Sequence, residues 1–334
     1  MGKRSGSGNI GQSVGASGLR NGVFTGVGVR PIGFQYPIGL TQTSAANTVV
    51  DYLVVAGGGS SNYGGGGAGG FVTGTTQSIN VSSSYSIVVG AGGPSGFNRG
   101  SWSFINSSPS VVFSSATGGG YGGGNTESGG PAAVSGGSGG GGGYGPSSGA
   151  AAGTPGQGNA GGAGAPSNPT AGAGGGGGGA GAVGAATTSP YTTGGNAGIG
   201  LTSPLITATM ANTYTVGEAA GTPSALAYFA GGGAGDSSGP GGAGQRGIGG
   251  GGGRLGASPA PSRTNGLPNS GGGSYSPGNG GKGVVIIRYV GSQTAGGGTI
   301  DTSGVSGYTT HIFTGDGTFT TNSNFGGANT FSIN

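Results

Sequence analysis

The hydrophobic positions of the chain fall into short clusters that alternate with turn residues. Five clusters predict strands: "TVVDYLVVAG" from Thr48, "FVTGTTQSINV" from Phe71, "SYSIVVGAGG" from Ser84, "SVVFSSATGGG" from Ser110 and "GVVIIRYVG" from Gly283. Each is short, rich in β-branched and aromatic residues, and mostly closed by glycine, which is typical of strands bounded by turns. We expect a small hydrophobic core from Val54, Val55, Ile87, Val88 and Val89.

A further pair of apolar clusters lies near the end of the chain, in "TTHIFTGDGTFTT". Gly315-Asp316-Gly317 separates "HIFT" from "TFTT", and Asp-Gly is a preferred pair for a type I′ hairpin turn. The pattern predicts a β-hairpin whose strands rejoin those of residues 49–117.

The regions between these clusters are dominated by glycine. Of 334 residues 97 are glycine, only 5% are charged and none is cysteine, far from ordinary globular usage. Collagen is excluded, because runs such as Gly174–Gly179 break its strict three-residue register. Glycine-rich chains are commonly flexible coils, since glycine loses the most conformational entropy on ordering.

Residues 118–283 hold the longest glycine runs. Interior glycines cost an α-helix about 1 kcal/mol each relative to alanine, and they offer no side chains to pack across a sheet. The remaining regular backbone is polyproline II, which becomes stable in bundles through N–H···O and Cα–H···O contacts. The predicted fold class is therefore all-β or irregular: a small β-sheet base with a glycine-rich polyproline II (polyglycine II) helix bundle and almost no α-helix. Candidate buried passes are 139–143, 174–179 and 249–253.

The net charge is +4, and Lys3, Arg4, Arg20 and Arg30 all lie in the first 30 residues. Such an arm could bind nucleic acid or an acidic protein surface, and the scattered charges favour the second interpretation. No apolar h-region follows Lys3 and Arg4, and no run reaches the length of a membrane-spanning helix. We expect no signal peptide, no membrane insertion and no nucleic acid partner.

Catalytic and ligand motifs are incomplete in this sequence. After "DYLVV" the glycine spacing departs from the dinucleotide fingerprint G-x-G-x-x-G, and Lys282 is followed by glycine instead of the Ser or Thr of a P-loop. His311 is the only histidine, with no second metal ligand near it in sequence. The sequence predicts no catalytic residues, no cofactor and no metal site.

Recognition is expected where the chain departs from glycine, at 185–195, 201–230 and 254–277. Loops on a rigid scaffold commonly carry binding function, and tyrosine is a good contact residue. The predicted surface contacts are Tyr191, Tyr214, Tyr228, Phe229, Arg254, Arg263 and Tyr275. The alternative is that these aromatic side chains simply wedge between glycine helices.

The segments "VVDYLVVAGGG", "GGGGAGGFVTGT" and "GGKGVVIIRY" resemble the glycine-rich domain of tailed-bacteriophage structural proteins, notably tail-fibre and receptor-binding proteins. The resemblance covers about residues 49–290. More loosely, the chain is similar to glycine-rich adhesins at the tips of T-even-like long tail fibres. That similarity implies packed polyglycine helices whose connecting loops bind host receptors.

One element departs from this resemblance. "HIFTGDGTFT" follows the last strand here, whereas in the family it precedes "DYLVVAGGG". This order suggests a permuted module in which Tyr308–Thr321 closes the sheet beside Asp51–Ala56, of the same chain or of a neighbour.

The resemblance implies a domain order and a function. Residues 1–48 would form an attachment arm, 49–291 the glycine-rich module and 292–334 a C-terminal β-hairpin tail. The expected function is a non-enzymatic virion protein, a tail-fibre or adhesin component; the alternatives are a head or tail decoration protein and an ice-binding or cell-wall glycine-rich protein. Expected partners are other virion proteins through residues 1–48, a host surface glycan or outer-membrane protein, and further copies of the chain, for example in a trimer. The expected location is the virion tail or fibre, or alternatively the capsid surface, after synthesis in the host cytoplasm.

Overall fold

The computed structural model describes residues 48–107, 111–166, 172–188, 190–219, 226–237, 242, 244–253 and 264–326, without the side chains of 111–113. It also describes the backbone of four short strands outside these ranges. The chain divides into two compact units, residues 1–45 with 329–334, and residues 46–328. In the first unit two strand pairs are described, Leu19–Arg20 with Val23–Phe24 and Leu40–Gln42 with Phe331–Ile333.

The strands are numbered here in chain order. They are β1 (Leu19–Arg20), β2 (Val23–Phe24), β3 (Leu40–Gln42), β4 (Val49–Val55), β5 (Phe71–Ser78), β6 (Ser84–Val88), β7 (Ser103–Ser107), β8 (Val111–Ala116), β9 (Leu201–Thr207), β10 (Glu218–Ala219), β11 (Leu226–Phe229), β12 (Val284–Val290), β13 (Ala295–Gly296), β14 (Thr299–Asp301), β15 (Tyr308–Phe313), β16 (Gly317–Thr321) and β17 (Phe331–Ile333). The sequence correctly predicted β4, β5, β6, β8 and β12, and it missed β7.

The second unit is built on two five-stranded antiparallel sheets. The first sheet has the order β14-β15-β12-β4-β5, and the second has the order β13-β16-β6-β7-β8. In the first sheet β12 lies in the middle, with Ile286 opposite Leu53 of β4 on one side and opposite Ile312 of β15 on the other. The segments "DYLVV" and "GVVIIRY" are therefore neighbouring strands.

The middle strand of the first sheet, β12, is buried on both faces. Val285, Ile287 and Tyr289 face the second sheet and pack with its residues, among them Ile87 and Phe319. The alternate residues of the same strand, including Val284 and Ile286, face the opposite way and pack against apolar residues within 205–216 and 227–230. Because successive side chains of a strand point to opposite faces, this double burial accounts for the unbroken apolar run of β12.

Residues 201–219 and 226–230 form a small layer on the outer face of the first sheet. They contribute a three-stranded sheet, β10-β11-β9, and one α-helix, α1 (Ala208–Tyr214). The hydroxyl of Thr207 accepts the N–H of Met210 and caps α1 at its first turn. The expectation that residues 118–283 contain no helix and no ordinary sheet is wrong for this stretch, because residues 201–216 contain no glycine.

The glycine runs form a bundle of extended rods joined by backbone hydrogen bonds. Residues 64–70, here called the central rod, donate their N–H groups in three directions, with a repeat of three residues. In the first direction, the carbonyls of Gly123, Gly120 and Thr117 accept from Gly64, Gly67 and Gly70, respectively. In the second, the carbonyls of Gly175 and Gly178 accept from Gly65 and Ala68. In the third, the carbonyls of Ser274 and Gly271 accept from Gly66 and Gly69. Three residues per turn is the repeat of polyproline II, so the geometry is that of a polyglycine II helix.

The carbonyl groups of the central rod bond to three further segments. One segment donates the N–H groups of Gly141 and Ser138 to the carbonyls of Gly65 and Ala68. A second donates the N–H of Gly233 to Gly66. The third donates the N–H groups of Gly59 and Ala56 to Gly67 and Gly70. Six neighbouring segments therefore surround this rod. The same arrangement recurs at 174–180, whose N–H groups bond to three segments, including Asp236, Gly233 and Ala230 in one of them.

Gly65 and Gly66 of the central rod leave no space for a side chain, because the neighbouring rods pack directly against them. Their backbone angles do not require glycine. A Cβ built on Gly65 would lie 2.0 Å from the carbonyl oxygen of Gly233, and one on Gly66 would lie 2.2 Å from that of Gly59. Neither glycine has a positive φ. Any side chain at these positions would push the rods apart and break their hydrogen bonds.

The candidate buried passes have different outcomes. Segment 174–179 is a fully surrounded rod, and 139–143 is buried and bonded to the central rod. Segment 249–253 is buried as well, but Gly249, Gly250 and Gly253 have positive φ, so it is not a regular rod. The bundle also begins earlier than the longest glycine runs indicate, because the central rod lies between β4 and β5.

The predicted hairpin at Gly315-Asp316-Gly317 is wrong. β15 pairs with β12 and β14 in the first sheet, whereas β16 pairs with β6 and β13 in the second. A type I′ turn requires a positive φ at both central residues, and neither Asp316 nor Gly317 has one. The turn instead carries the chain from one sheet to the other, and the Asp316 carboxylate accepts the N–H of Val89 at 2.9 Å.

The C-terminal strands close the sheets within their own chain. The expectation that Tyr308–Thr321 lies directly beside Asp51–Ala56 is corrected, since β12 separates β15 from β4. Asp51 and Arg288 face each other across β4 and β12, and the Arg288 guanidinium lies 3.0 Å from the Asp51 carboxylate.

Candidate loop surface at the end of the glycine bundle

The central rod and the rod 117–124 run in opposite directions, and each has one end at the sheets. The central rod runs into β5, and the rod 117–124 leaves β8, so Gly70 and Thr117 bond to each other close to the sheets. The other ends of these two rods meet where Gly64 bonds to Gly123. The end of the bundle away from the sheets is called the loop end here.

Backbone hydrogen bonds define which segments reach the loop end. Asp236 donates its N–H to Tyr63 and accepts the N–H of Gly174, each over 2.8 Å. Thr126 donates to the carbonyl of Tyr144, also over 2.8 Å. Turns that are far apart in sequence are thus fixed to one another by their main chains.

Tyrosines concentrate at the loop end. The ring centroids of Tyr63 and Tyr144 are 6.4 Å apart, and Tyr191 is half-buried against the same cluster, which includes Ala165 and Ala173. Tyr144 is buried, whereas Tyr63 and Tyr191 remain partly exposed. This cluster provides aromatic surface that the backbone lattice holds in place.

A second loop-end contact joins Tyr275 to Asp236. The Tyr275 hydroxyl donates to the Asp236 carboxylate at 2.6 Å, and the N–H of Ser237 donates to the same oxygen at 2.8 Å. The Ser237 hydroxyl continues to the carbonyl of Thr192 at 2.8 Å. Tyr275, Asp236 and the 190–193 turn therefore form one connected group.

The seven predicted contact residues do not form one surface. Tyr191 and Tyr275 lie at the loop end. Tyr214, Tyr228 and Phe229 lie in the layer that covers the first sheet. Arg254 and Arg263 lie outside the described residues. Phe229 is 0% exposed, so its prediction as a surface contact is wrong; its side chain packs in the core between this layer and the first sheet.

The layer over the first sheet is held by charged and polar contacts. The Arg246 guanidinium pairs with the Glu218 carboxylate, which also accepts the N–H groups of Gly249 and Gly250. Burial acts to raise the pKa of Glu218, but Arg246 and the two N–H groups outweigh it and hold that pKa below its ordinary value. These contacts fix the position of β10.

Tyr214 has a comparable role at the end of α1. Its hydroxyl donates to the Asp301 carboxylate at 2.7 Å, and this hydrogen bond, followed by burial and the negative charge of Asp301, raises the pKa of Tyr214. Burial acts to raise the pKa of Asp301, but hydrogen bonds from Gly304, Tyr214 and Ser303 outweigh it and lower that pKa. Tyr214 therefore joins α1 to the loop that follows β14.

The sequence did not lead us to three residues of the loop end: Tyr63, Tyr144 and Asp236. A usable signal was present, because Tyr63 directly precedes the run 64–67 and Tyr144 directly follows the run 139–143. A bulky residue at the border of a glycine run marks the point where a rod ends. The glycine-poor stretches, in contrast, include the layer over the sheet.

The described residues show neither a metal-binding cluster nor a membrane-spanning helix. No group of three or more His, Cys, Asp or Glu side chains in these ranges is placed to hold a metal ion. Among the same residues, no helix has the length and apolar character needed to cross a bilayer.

The two-sheet base, the polyglycine rods and the loop end define a glycine-rich scaffold protein. A family model described as a glycine-rich domain matches residues 38–290, and the chain belongs to this glycine-rich domain family. No curated protein and no solved structure matches the chain significantly.

Proposed function

We propose that the chain is a non-enzymatic structural protein of a phage virion, a tail-fibre or adhesin component that contacts the host cell surface with its loop end. The phage setting is supported by the resemblance of the segments "DYLVV" and "GVVIIRY", which are the neighbouring strands β4 and β12. The contact role is supported by the loop end itself.

One observation carries the contact role: partly exposed tyrosines are held at the end of a backbone-bonded bundle. Tyr63 and Tyr191 pack on a cluster whose main chains are tied to the rods, and Tyr275 is fixed through Asp236. Binding to such a preorganised surface costs less ordering entropy than binding to flexible loops. Tyrosine supplies a large contact area with few rotatable bonds.

Adsorption inhibition tests this proposal. The purified chain is added to host cells before the phage that encodes it, and free phage is counted after a fixed time. We expect dose-dependent inhibition, and we expect Tyr191→Ala to need at least about tenfold more protein for the same effect, as for a contact residue of an interface.

Tyr228→Ala is the matched control, because Tyr228 is a half-buried tyrosine of β11, in the layer over the first sheet. It should inhibit like the unmodified chain. Failure of the folded chain to compete at any concentration would contradict the adhesin role. In that case, antibodies against the chain that label symmetric positions on the capsid would identify it as a decoration protein.

A further inference from the structure

A groove of about 360 Å³ lies beside the outer edge of β5, close to the sheets and not at the loop end. Its apolar lining includes Phe71, Ala180 and Leu201, and its polar lining includes Thr73, Gln157 and Asn159. None of the residues that line the groove is charged. This surface is separate from the one proposed to contact the host.

β5 is the last strand of the first sheet, with β4 on one side only. The N–H of Phe71 points away from β4, because it donates to the carbonyl of Gln157 at 2.9 Å. In an antiparallel pair, successive residues direct their N–H and C=O groups alternately toward and away from the partner strand. The N–H and C=O of Thr73 therefore also point outward, beside the groove.

The regular outer edge ends at Gly74, because the pairing of β5 with β4 shifts register there. Thr76 has a positive φ and donates its N–H to the Asp51 carboxylate at 3.1 Å. Natural proteins usually protect such edges with lysine, proline, inward charges or a β-bulge. The bulge of β5 lies beyond Gly74, and the segment "FVTG" before it contains no lysine, proline or charged residue. The sheet edge thus presents backbone groups that an added strand could use.

Apolar surface adjoins this edge. Leu201, which lines the groove, is 42% exposed, and Ile199, two residues earlier in the chain, is 47% exposed. Groups of exposed aliphatic side chains of this kind mark interaction sites. The combination of outward backbone groups with an apolar groove is the arrangement that recognises an extended peptide by β-strand addition.

We propose that the outer edge of β5 binds an extended, uncharged segment of a partner protein as an additional strand, with one aliphatic side chain of that segment in the groove. The backbone groups of Thr73 select an extended chain. Phe71, Ala180 and Leu201 select the aliphatic side chain, and the uncharged lining disfavours a charged one, whose desolvation would not be compensated.

Calorimetric titration of the full chain with the N-acetylated, C-amidated hexapeptide LTVTVT tests this proposal. We expect saturable binding with one site per chain. Thr73→Pro removes the outward N–H and should weaken binding at least about tenfold, because proline is tolerated at a sheet edge but cannot donate there. Thr73→Val is the matched control: it loses the same hydroxyl bond to Tyr52 but keeps the N–H, and binding should stay within about twofold.

A second pair of variants covers the case in which Thr73→Pro fails to fold. Leu201→Lys places a charge at the groove and should weaken binding, whereas Val183→Lys, at an equally apolar residue that is 62% exposed and does not line the groove, should not. The proposal would be overturned if the folded, unmodified chain did not bind the peptide. It would also be overturned if Thr73→Pro and Leu201→Lys both bound the peptide as tightly as the unmodified chain. Self-association of the unmodified chain that Thr73→Pro abolishes would show that a second copy, not a partner protein, occupies the edge.

Discussion

Gly65 donates its backbone N–H to the carbonyl oxygen of Gly175 at 3.0 Å. Three residues later, Ala68 makes the same bond to Gly178. Two glycine rods that are far apart in sequence are thus joined in register without any side chain between them. The repetition of this relationship in six directions around the central rod gives ordered structure to a segment whose composition is typical of flexible linkers.

Gly65→Ala should destabilise the protein severely. The added methyl group would lie 2.0 Å from the carbonyl oxygen of Gly233, and relief requires movement of backbone and not of a flexible side chain. We expect a loss of at least about 3 kcal/mol in the free energy of unfolding, at the upper end of overpacking effects. Denaturant-induced unfolding, followed by the fluorescence of Trp102, measures it.

Gly149→Ala is the control for that substitution. Gly149 is exposed and has no positive φ, and a Cβ added to it would meet no atom within 4 Å. We expect a neutral effect or a gain of about 0.5 kcal/mol, because alanine restricts the unfolded chain. Equal unfolding free energies for Gly65→Ala and Gly149→Ala would show that the rods are not closely packed.

Glu218→Gln should destabilise the layer over the first sheet. The change leaves the Arg246 guanidinium, only 6% exposed, without its carboxylate partner. We expect a loss of about 3 kcal/mol in thermal or denaturant unfolding, as when one partner of a buried ion pair is removed.

The same contact predicts an acid dependence. Because the pKa of Glu218 is lowered by folding, its contribution to stability is complete above the unfolded pKa of about 4.3 and is lost as the pH falls through the folded pKa. Glu218→Gln should therefore flatten the acid side of the stability profile. The exposed Glu127→Gln should change stability by less than about 0.5 kcal/mol, and a comparable loss for both variants would argue against the buried pair.

The stability of the two-sheet base should fall in mildly acidic solution because of His311. This side chain is 0% exposed, and burial lowers its pKa, although its hydrogen bond to Gly297 acts in the opposite direction. Nδ1 lies 2.7 Å from the Gly297 carbonyl, which can only accept, so Nδ1 carries the proton. Nε2 faces the Tyr289 hydroxyl at 3.3 Å, and this hydroxyl already accepts the N–H groups of Thr294 and Ala295.

Protonation of Nε2 would place a third N–H donor against the Tyr289 hydroxyl, which could then no longer donate its own proton to Nε2. With a folded pKa below the unfolded value of about 6.5, stability is complete above that pH and decreases as the pH falls from it toward the folded pKa. Thermal unfolding between pH 8 and pH 5 measures the decrease, and His311→Gln should remove it. A His311 ring that titrates near pH 6.5 in the folded protein, as followed by NMR, would contradict this prediction.

The sequence was sufficient for the parts of the fold that depend on local pattern. The apolar runs of β4 and β12 predict strands, and the broken glycine register predicts polyglycine II instead of collagen. The direction of a rod's hydrogen bonds is not encoded locally, because glycines carry no side chain that distinguishes one neighbour from another. For this reason the central position of residues 64–70, whose unbroken glycine run 64–67 is shorter than 174–179, could not be predicted.

The candidate functional surface could likewise be predicted only in part from the sequence. Glycine-poor stretches such as 201–230 suggest exposed loops, but Phe229 and Met210 supply the core on the outer face of the first sheet. Polar-looking turns such as 315–317 could not be assigned from residue type alone, since an Asp-Gly pair fits both a hairpin and a connection between two sheets. The borders of glycine runs, at Tyr63 and Tyr144, indicate the loop end better than the absence of glycine does.

Hydrogen exchange of the central rod tests the backbone lattice most directly. Residues 64–70 form neither α-helix nor β-strand, yet the N–H of each donates to another segment of the chain. After transfer of the full chain to deuterated buffer, peptides that cover 64–70 and 174–179 should exchange as slowly as peptides that cover β12, because all three are opened only by global unfolding. Exchange of the two glycine segments at the rate of an unstructured peptide, while β12 stays protected, would contradict the account.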